Sequence, residues 1–215
     1  MSDELKLCEV FPSIQGESTR AGRPCVMIRL SGCNLRCRWC DTQYAWSGGE
    51  VVSVDDLMAR VAGFGCRLVE VTGGEPLVQP AVTGLLRRLC DAGHETLLET
   101  NGSWDISVVD PRVGRIVDFK CPSSGEHEQT RWSNAAMLGP NDEAKFVLAD
   151  RADYDYASRV LEDRRLAERC PVTFSPVHGR LAPATLAEWI VAGGRDVRLG
   201  LQLHRILWPD KERGA

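Results

Sequence analysis

Residues 33–40 read Cys33-Asn34-Leu35-Arg36-Cys37-Arg38-Trp39-Cys40, directly after the apolar run Val26–Leu30 (VMIRL) and a Ser31-Gly32 turn. Three thiols within eight residues, on a loop leaving a predicted strand, can close around one soft metal centre. Three readings of this stretch stand side by side. Buried structural cysteines are not ordinarily spaced so tightly in a loop. A zinc site needs a fourth ligand, and no His or further Cys is close in sequence. An iron–sulfur cluster needs only three protein thiolates if one iron is left open to a substrate or cofactor.

The strand before this loop is the first of a series. Leu68–Thr72, Thr96–Thr100, Arg115–Phe119, Ala144–Leu148, Val172–Ser175 and Val197–Leu203 are short, rich in β-branched residues, and predicted as strands buried on both faces. Helical patterns lie between them. Val82, Leu85, Leu86 and Leu89 share one face, with Gly93 just beyond the expected end; Leu186, Trp189 and Ile190 repeat the pattern before Gly193-Gly194. Residues 153–169 are charged on one side, with Ala157, Val160 and Leu161 on the other, which predicts a surface helix. Alternating strands and helices predict an α/β protein with right-handed parallel crossovers, either an open doubly wound sheet or a partial barrel. Residues 121–133 (CPSSGEHEQTRWS) read as a polar loop, mobile over a site. No repeat or linker interrupts the chain, so a single domain is expected over residues 1–215.

The 215 residues carry 26 Lys and Arg against 30 Asp and Glu, a net charge of −4, which argues against nucleic-acid binding through bulk charge. No apolar run approaches a membrane span, and the acidic start MSDELK does not read as a signal peptide. Nine cysteines are an odd count for a disulfide framework in a chain too long to need one. These features predict a cytoplasmic enzyme with no membrane or nucleic-acid partner. Cys8, Cys25, Cys66, Cys90, Cys121 and Cys170 lack partner spacing and are expected to be packing residues.

C-x3-C-x2-C with Trp39 before the last cysteine resembles the cysteine motif of the radical S-adenosylmethionine superfamily. Val71-Thr72-Gly73-Gly74-Glu75-Pro76 resembles that superfamily's GGEP segment. In physical terms, Gly73 and Gly74 let backbone approach a ligand, and Glu75 with nearby carbonyls can receive an ammonium group. The resemblance implies a partial, open (β/α)6-type barrel of mostly parallel strands, with chemistry at their C-terminal ends. It also implies a 4Fe-4S cluster on Cys33, Cys37 and Cys40, and S-adenosylmethionine held by Trp39, Gly74, Glu75, Asn101 and Lys120. Glu99 and Lys120 have a competing reading as buried structural ion pairs.

Further residues narrow the resemblance. Ser13-Ile14-Gln15-Gly16-Glu17, Arg29, Asp41-Thr42 after Cys40, Gln202-Leu203-His204 and Trp208-Pro209 are together similar to the 7-carboxy-7-deazaguanine synthase family, from about Phe11 to Pro209. Ser18 stands where that family more often has Gly. The family reaction contracts the ring of 6-carboxytetrahydropterin to 7-carboxy-7-deazaguanine and releases ammonia. A 5′-deoxyadenosyl radical takes hydrogen from C6 and receives it back, so S-adenosylmethionine is regenerated.

The resemblance implies that Ile14, Gln15, Gly16, Glu17 and Thr72 contact the pterin and that Arg29 clamps its carboxylate. Arg29 has an alternative as an ordinary ion pair and Thr42 as a helix cap; the family role of Thr42 is to give an oxygen to Mg2+. Gln202 and His204, on one inward face of the expected last strand, complete the site, and residues 211–215 are expected to matter little. A homodimer and an electron donor such as flavodoxin follow from the family. Two rivals remain at this level: an activase of glycyl-radical enzymes acting on a protein, and a zinc-stabilised binding module.

Overall fold

The computed structural model describes residues 3–214. The nine strands among the described residues are β1 (Glu4–Ile14), β2 (Pro24–Leu30), β3 (Glu50–Ser53), β4 (Leu68–Gly73), β5 (Glu95–Thr100), β6 (Gly114–Asp118), β7 (Glu143–Leu148), β8 (Val172–Pro176) and β9 (Arg198–Leu199). They form one sheet in the order β3-β1-β2-β4-β5-β6-β7-β8-β9. From β2 to β9 every pairing is parallel; β1 runs antiparallel to both β2 and β3. The fold is the mostly parallel, open α/β partial barrel expected from the sequence. The β1–β2 hairpin, β3 and helix α1 (Val54–Gly63) are additions that the sequence reading missed.

The helices form where capping and apolar spacing agree. In α1, Ser53 accepts from the Asp56 N–H, and Asp55 and Asp56 sit at the positive end of the dipole. Helix α2 (Val82–Asp91) buries Val82, Leu85, Leu86 and Leu89, the predicted face. Asp150 caps α3 (Arg151–Asp163), which stops at Asp163 rather than reaching residue 169. Pro183 opens α4 (Pro183–Gly193) and Gly194, with φ +58°, closes it. No helix among the described residues is long and apolar enough to cross a membrane.

Alternation along the parallel strands sets where chemistry can occur. Val26, Ile28, Leu30, Val69, Val71, Leu98, Val117, Phe146 and Phe174 join the main core, which Leu85, Leu86, Ala157 and Leu161 of α2 and α3 share. The other face is apolar only at its N-terminal end, where Cys25, Leu68, Leu97 and Ile116 pack together with Met27. Towards the C-terminal ends the same face carries Arg29, Glu70, Thr72, Glu99, Asp118 and Lys145. An apolar plug closes the floor and polar side chains rise above it.

Two predicted segments take other forms. The expected strand at 197–203 is paired only at Arg198–Leu199; Gln202 precedes a short helix, α5 (Leu203–Leu207). Strand alternation therefore does not place Gln202 and His204. Residues 121–133 fold into successive 3-10 turns over Pro122–Ser124, His127–Gln129 and Trp132–Met137, with Cys121, Ser124 and Thr130 buried. Trp132 stacks on Phe119 at 5.5 Å, so this segment packs against the main core rather than as a loose cover.

Candidate active site

A cavity of about 440 Å³ opens at the C-terminal ends of β2, β4, β5, β6 and β7. Cys33, Cys37 and Cys40 all line it and all are free thiols. Gly73 and Gly74 bring the end of β4 against this loop. A Cβ on Gly73 would lie 2.2 Å from the Leu30 oxygen, and one on Gly74 would lie 2.4 Å from the Gly32 oxygen and 2.7 Å from the Cys33 Cβ. Any side chain there would push the cysteine loop off the strand end. Burial pushes the Cys33 and Cys37 thiols up, Cys37 to about 11, while Lys120 pulls in the opposite direction. Metal coordination is what deprotonates such thiols.

The donor set fits a cluster better than one ion. Among the described residues no three His, Cys, Asp or Glu side chains converge as ligands of a single metal ion. Three thiols on one wall suit a larger soft centre, and the Leu35 N–H already points at the Cys33 sulfur, 3.4 Å away.

The residues expected around S-adenosylmethionine divide. Gly74, Trp39, Asn101 and Lys120 line the cavity. Lys120 pairs with Asp118 at 2.6 Å and lies 5.5 Å from the Trp39 ring centre. Burial opposes its charge, but Asp118 and Cys37 outweigh burial and its pKa is raised. Asn101 donates to Asn34 and accepts from Ser103, fixing the loop after β5 beside Cys33. Glu75 is turned away. It is fully buried and accepts from Thr100, from the Asn101 N–H and from the Leu77 N–H, so it ties the end of β4 to that of β5 instead of facing a ligand. Burial pushes its carboxyl up to about 7.

Ile14, Gly16, Glu17, Arg29, Thr42, Thr72, Gln202 and His204 also line the cavity. Gln15 has its side chain committed elsewhere: Nε2 donates to Glu70, and Oε1 accepts from the Glu17 and Ser18 N–H groups. Gln15 shapes the loop with its backbone as well: its N–H donates to the Arg23 oxygen and its own oxygen accepts from the Gly22 N–H. Ser18, in place of Gly, fits without left-handed backbone and accepts from the Arg20 N–H. Arg29 gives Nε to Glu9 at 2.9 Å, which leaves its two terminal nitrogens without a partner among the described residues. The ion-pair and ligand readings of Arg29 are thus compatible. Thr42 precedes a 3-10 turn without capping it, and its hydroxyl is 3.7 Å from the Cys40 sulfur.

The tail reaches the site by docking rather than by sheet pairing. The Leu203 N–H donates to the Gly16 oxygen, Gln202 donates to Glu17 at 3.0 Å and to Asp41 at 3.3 Å, and a Cβ on Gly16 would fall 2.7 Å from His204 Nδ1. Burial lowers the His204 pKa against the pull of Glu17 and Asp41. Lys211, Glu212, Arg213 and Gly214 also line the cavity.

Sequence reasoning missed the charge at the centre of the site. Lys145 lies 2.5 Å from Glu17 and 2.7 Å from Glu99, with its side chain 7% exposed. Thr72 donates to the other oxygen of Glu99. Glu99 is held below the usual carboxylate range: burial opposes this, and Lys145 overcomes burial. Glu70, beneath them, is pushed up to about 8 by burial and by Glu99. One ammonium lies between the carboxylates of Glu17 and Glu99, and burial favours the protonated form of the third, Glu70. The signal for Lys145 was alternation within β7, where Ala144, Phe146 and Leu148 face the core and Lys145 faces inward.

A three-cysteine loop after β2 and a glycine pair at the end of β4, both opening on one cavity, define a radical S-adenosylmethionine enzyme, and the family model described as "Radical SAM superfamily" matches residues 27–113. The 7-carboxy-7-deazaguanine synthase of Chlorobaculum tepidum is 45% identical over 98% of this chain and 97% of its own. That of Koribacter versatilis is 40% identical over 98% of this chain and 100% of its own. The crystal structure of QueE from Escherichia coli, at 22% identity, has the same fold, with a TM-score of 0.72 over 93% of this chain and 94% of that one. The chain belongs to the 7-carboxy-7-deazaguanine synthase family.

Proposed function

We propose that the protein converts 6-carboxy-5,6,7,8-tetrahydropterin to 7-carboxy-7-deazaguanine with release of ammonia, a step of 7-deazapurine (queuosine-type) biosynthesis. The observation that carries this reading is that one cavity gathers three free thiols, the carboxylate of Glu17 and the unpaired fork of Arg29. A flat heterocycle with guanidine-like donors and a carboxylate matches an acceptor and a free guanidinium in the same cavity.

Cys33, Cys37 and Cys40 hold the 4Fe-4S cluster, and Trp39, Gly74, Asn101 and Lys120 hold S-adenosylmethionine against it. When bound and reduced, these groups supply a carbon radical able to abstract hydrogen from C6 of the pterin. The chain's own share is placement and shielding. Glu17, fixed by Lys145 and Gln202, accepts from the pterin's N–H donors. Arg29 receives the carboxylate through two parallel hydrogen bonds. His204, neutral against Gly16, closes the wall on that side. Thr42 would offer one hard oxygen to Mg2+; its side chain caps no helix, which supports this role.

A homodimer, a flavodoxin-like electron donor and a cytoplasmic location belong to the same reading. The experiment is anaerobic incubation of the reduced holoenzyme with S-adenosylmethionine, Mg2+ and the carboxylated pterin. A deazapurine chromophore and an equivalent of ammonia are expected. An iron-loaded protein that leaves the pterin unchanged refutes the proposal.

A further inference from the structure

A β-bulge in β1 changes which residue backs Arg29. The β1–β2 register pairs Leu7 with Leu30 and then Glu9 with Arg29, so Cys8 and Glu9 together face a single step of β2. One extra residue reverses the parity of everything beyond it. Before the bulge, Leu5 and Leu7 point into the main core; after it, Val10 packs against that core. Without the bulge Glu9 would share the apolar side with Leu5 and Leu7. With it, Glu9 stands across from Arg29, behind the cavity wall.

The Glu9 carboxylate is engaged through one oxygen. Oε1 accepts from Arg29 Nε at 2.9 Å and from the Tyr44 hydroxyl at 3.0 Å. The Arg29 side chain is 13% exposed and that of Glu9 16%. Glu9 does not line the cavity, whereas Arg29 and Tyr44 do. A guanidinium held by its Nε can swing little, and its two terminal nitrogens then face one way as a fork.

We propose that Glu9, placed by the bulge at Cys8 and braced by Tyr44, is a positioning residue that aims the terminal nitrogens of Arg29 at the carboxylate of the substrate. This rests on the substrate reading given above. Its consequence is specificity: the chain's preference for a carboxylated pterin over one lacking the carboxylate depends on a residue that touches neither.

The test compares wild type, Glu9→Ala and Glu9→Gln as anaerobic holoenzymes. Three readouts are taken: cluster absorbance, KM and kcat with the carboxylated pterin, and equilibrium binding of that pterin beside the analogue without the carboxylate. For Glu9→Ala the expected result is an unchanged cluster and a kcat within about twofold of wild type. Its KM should rise about tenfold, and its preference between the two pterins should fall by the same factor, as one lost tenfold contact would give. Glu9→Gln keeps an acceptor for Arg29 Nε and should recover part of that preference. Undiminished preference in Glu9→Ala overturns the proposal. So does equal weakening for both pterins, or loss of the cluster in both variants, because either marks a merely structural role. If wild type itself shows no preference for the carboxylated pterin, the substrate reading fails and this proposal with it, an outcome distinct from the others.

Discussion

Replacing Lys145 with Met removes one charge from between two carboxylates at nearly constant side-chain length. The ammonium lies 2.5 Å from Glu17 and 2.7 Å from Glu99 and is almost wholly removed from water. Removing one partner of a buried pair costs about 3–5 kcal/mol. Glu17 keeps its hydrogen bond from Gln202 and Glu99 keeps that from Thr72, so a loss near the lower end, about 3 kcal/mol, is expected. The loss must also depend on pH. In wild type Lys145 overcomes burial and holds Glu99 below its usual range. Without Lys145 burial prevails, the folded-state pKa rises above the unfolded one, and stability falls as pH rises through that folded value. Urea denaturation of the anaerobic holoenzyme at about pH 5 and about pH 8 measures both effects, with the larger loss expected at the higher pH. A change within about 0.5 kcal/mol at both pH values would refute the reasoning, because that is the range of surface substitutions.

Further predictions concern the metal sites and the buried acid. Alanine at Cys33, Cys37 or Cys40 should abolish iron binding and turnover, whereas Cys66→Ala and Cys90→Ala, which alter only partly buried packing thiols, should leave both; iron content decides this. Thr42→Val removes the uncapped hydroxyl with little change in volume, so stimulation by Mg2+ should shrink while cluster absorbance stays constant. Glu70 has a folded-state pKa of about 8, raised by burial, so it favours folding most fully in acid and loses that contribution as pH rises through about 8. Glu70→Gln should flatten this decline in denaturation curves; an equally steep decline would place the effect elsewhere.

The sequence carried the architecture because the parallel strands announce themselves twice, by β-branched runs and by the helices between them. Six predicted strands match β2 and β4 to β8 within a residue or two. The β1 hairpin stayed hidden because Glu4–Ile14 alternates through a bulge at Cys8, which breaks the period of two halfway along. Val197–Leu203 looked like a strand because Val197, Leu199, Leu201 and Leu203 alternate with Arg198, Gly200 and Gln202, but local alternation does not show whether a neighbouring strand is there to pair, and only Arg198 and Leu199 find one. The same limit affected the site. Cys33, Cys37, Cys40, Arg29, Glu17 and His204 were legible from motif spacing and resemblance, and each lines the cavity. Glu75 and the Gln15 side chain were read as ligand contacts but are engaged by neighbouring protein groups, Glu75 by the Thr100 hydroxyl and two N–H groups and Gln15 by the Glu70 carboxylate and two N–H groups, and no spacing shows which way such a side chain turns. Lys145, Glu70 and Glu9 became visible only when the sheet placed residues over 40 positions apart, or across a bulge, on one face.

The proposed reaction directs a radical at C6 of a carboxylated pterin and regenerates its cofactor. A substrate carrying deuterium at C6 tests it most directly, with S-adenosylmethionine recovered after turnover and analysed by mass spectrometry. Deuterium in the recovered S-adenosylmethionine, product formed in excess of enzyme, and no net consumption of the cofactor are expected. Product appearing with no deuterium in S-adenosylmethionine, or with one cofactor consumed per turnover, would contradict it.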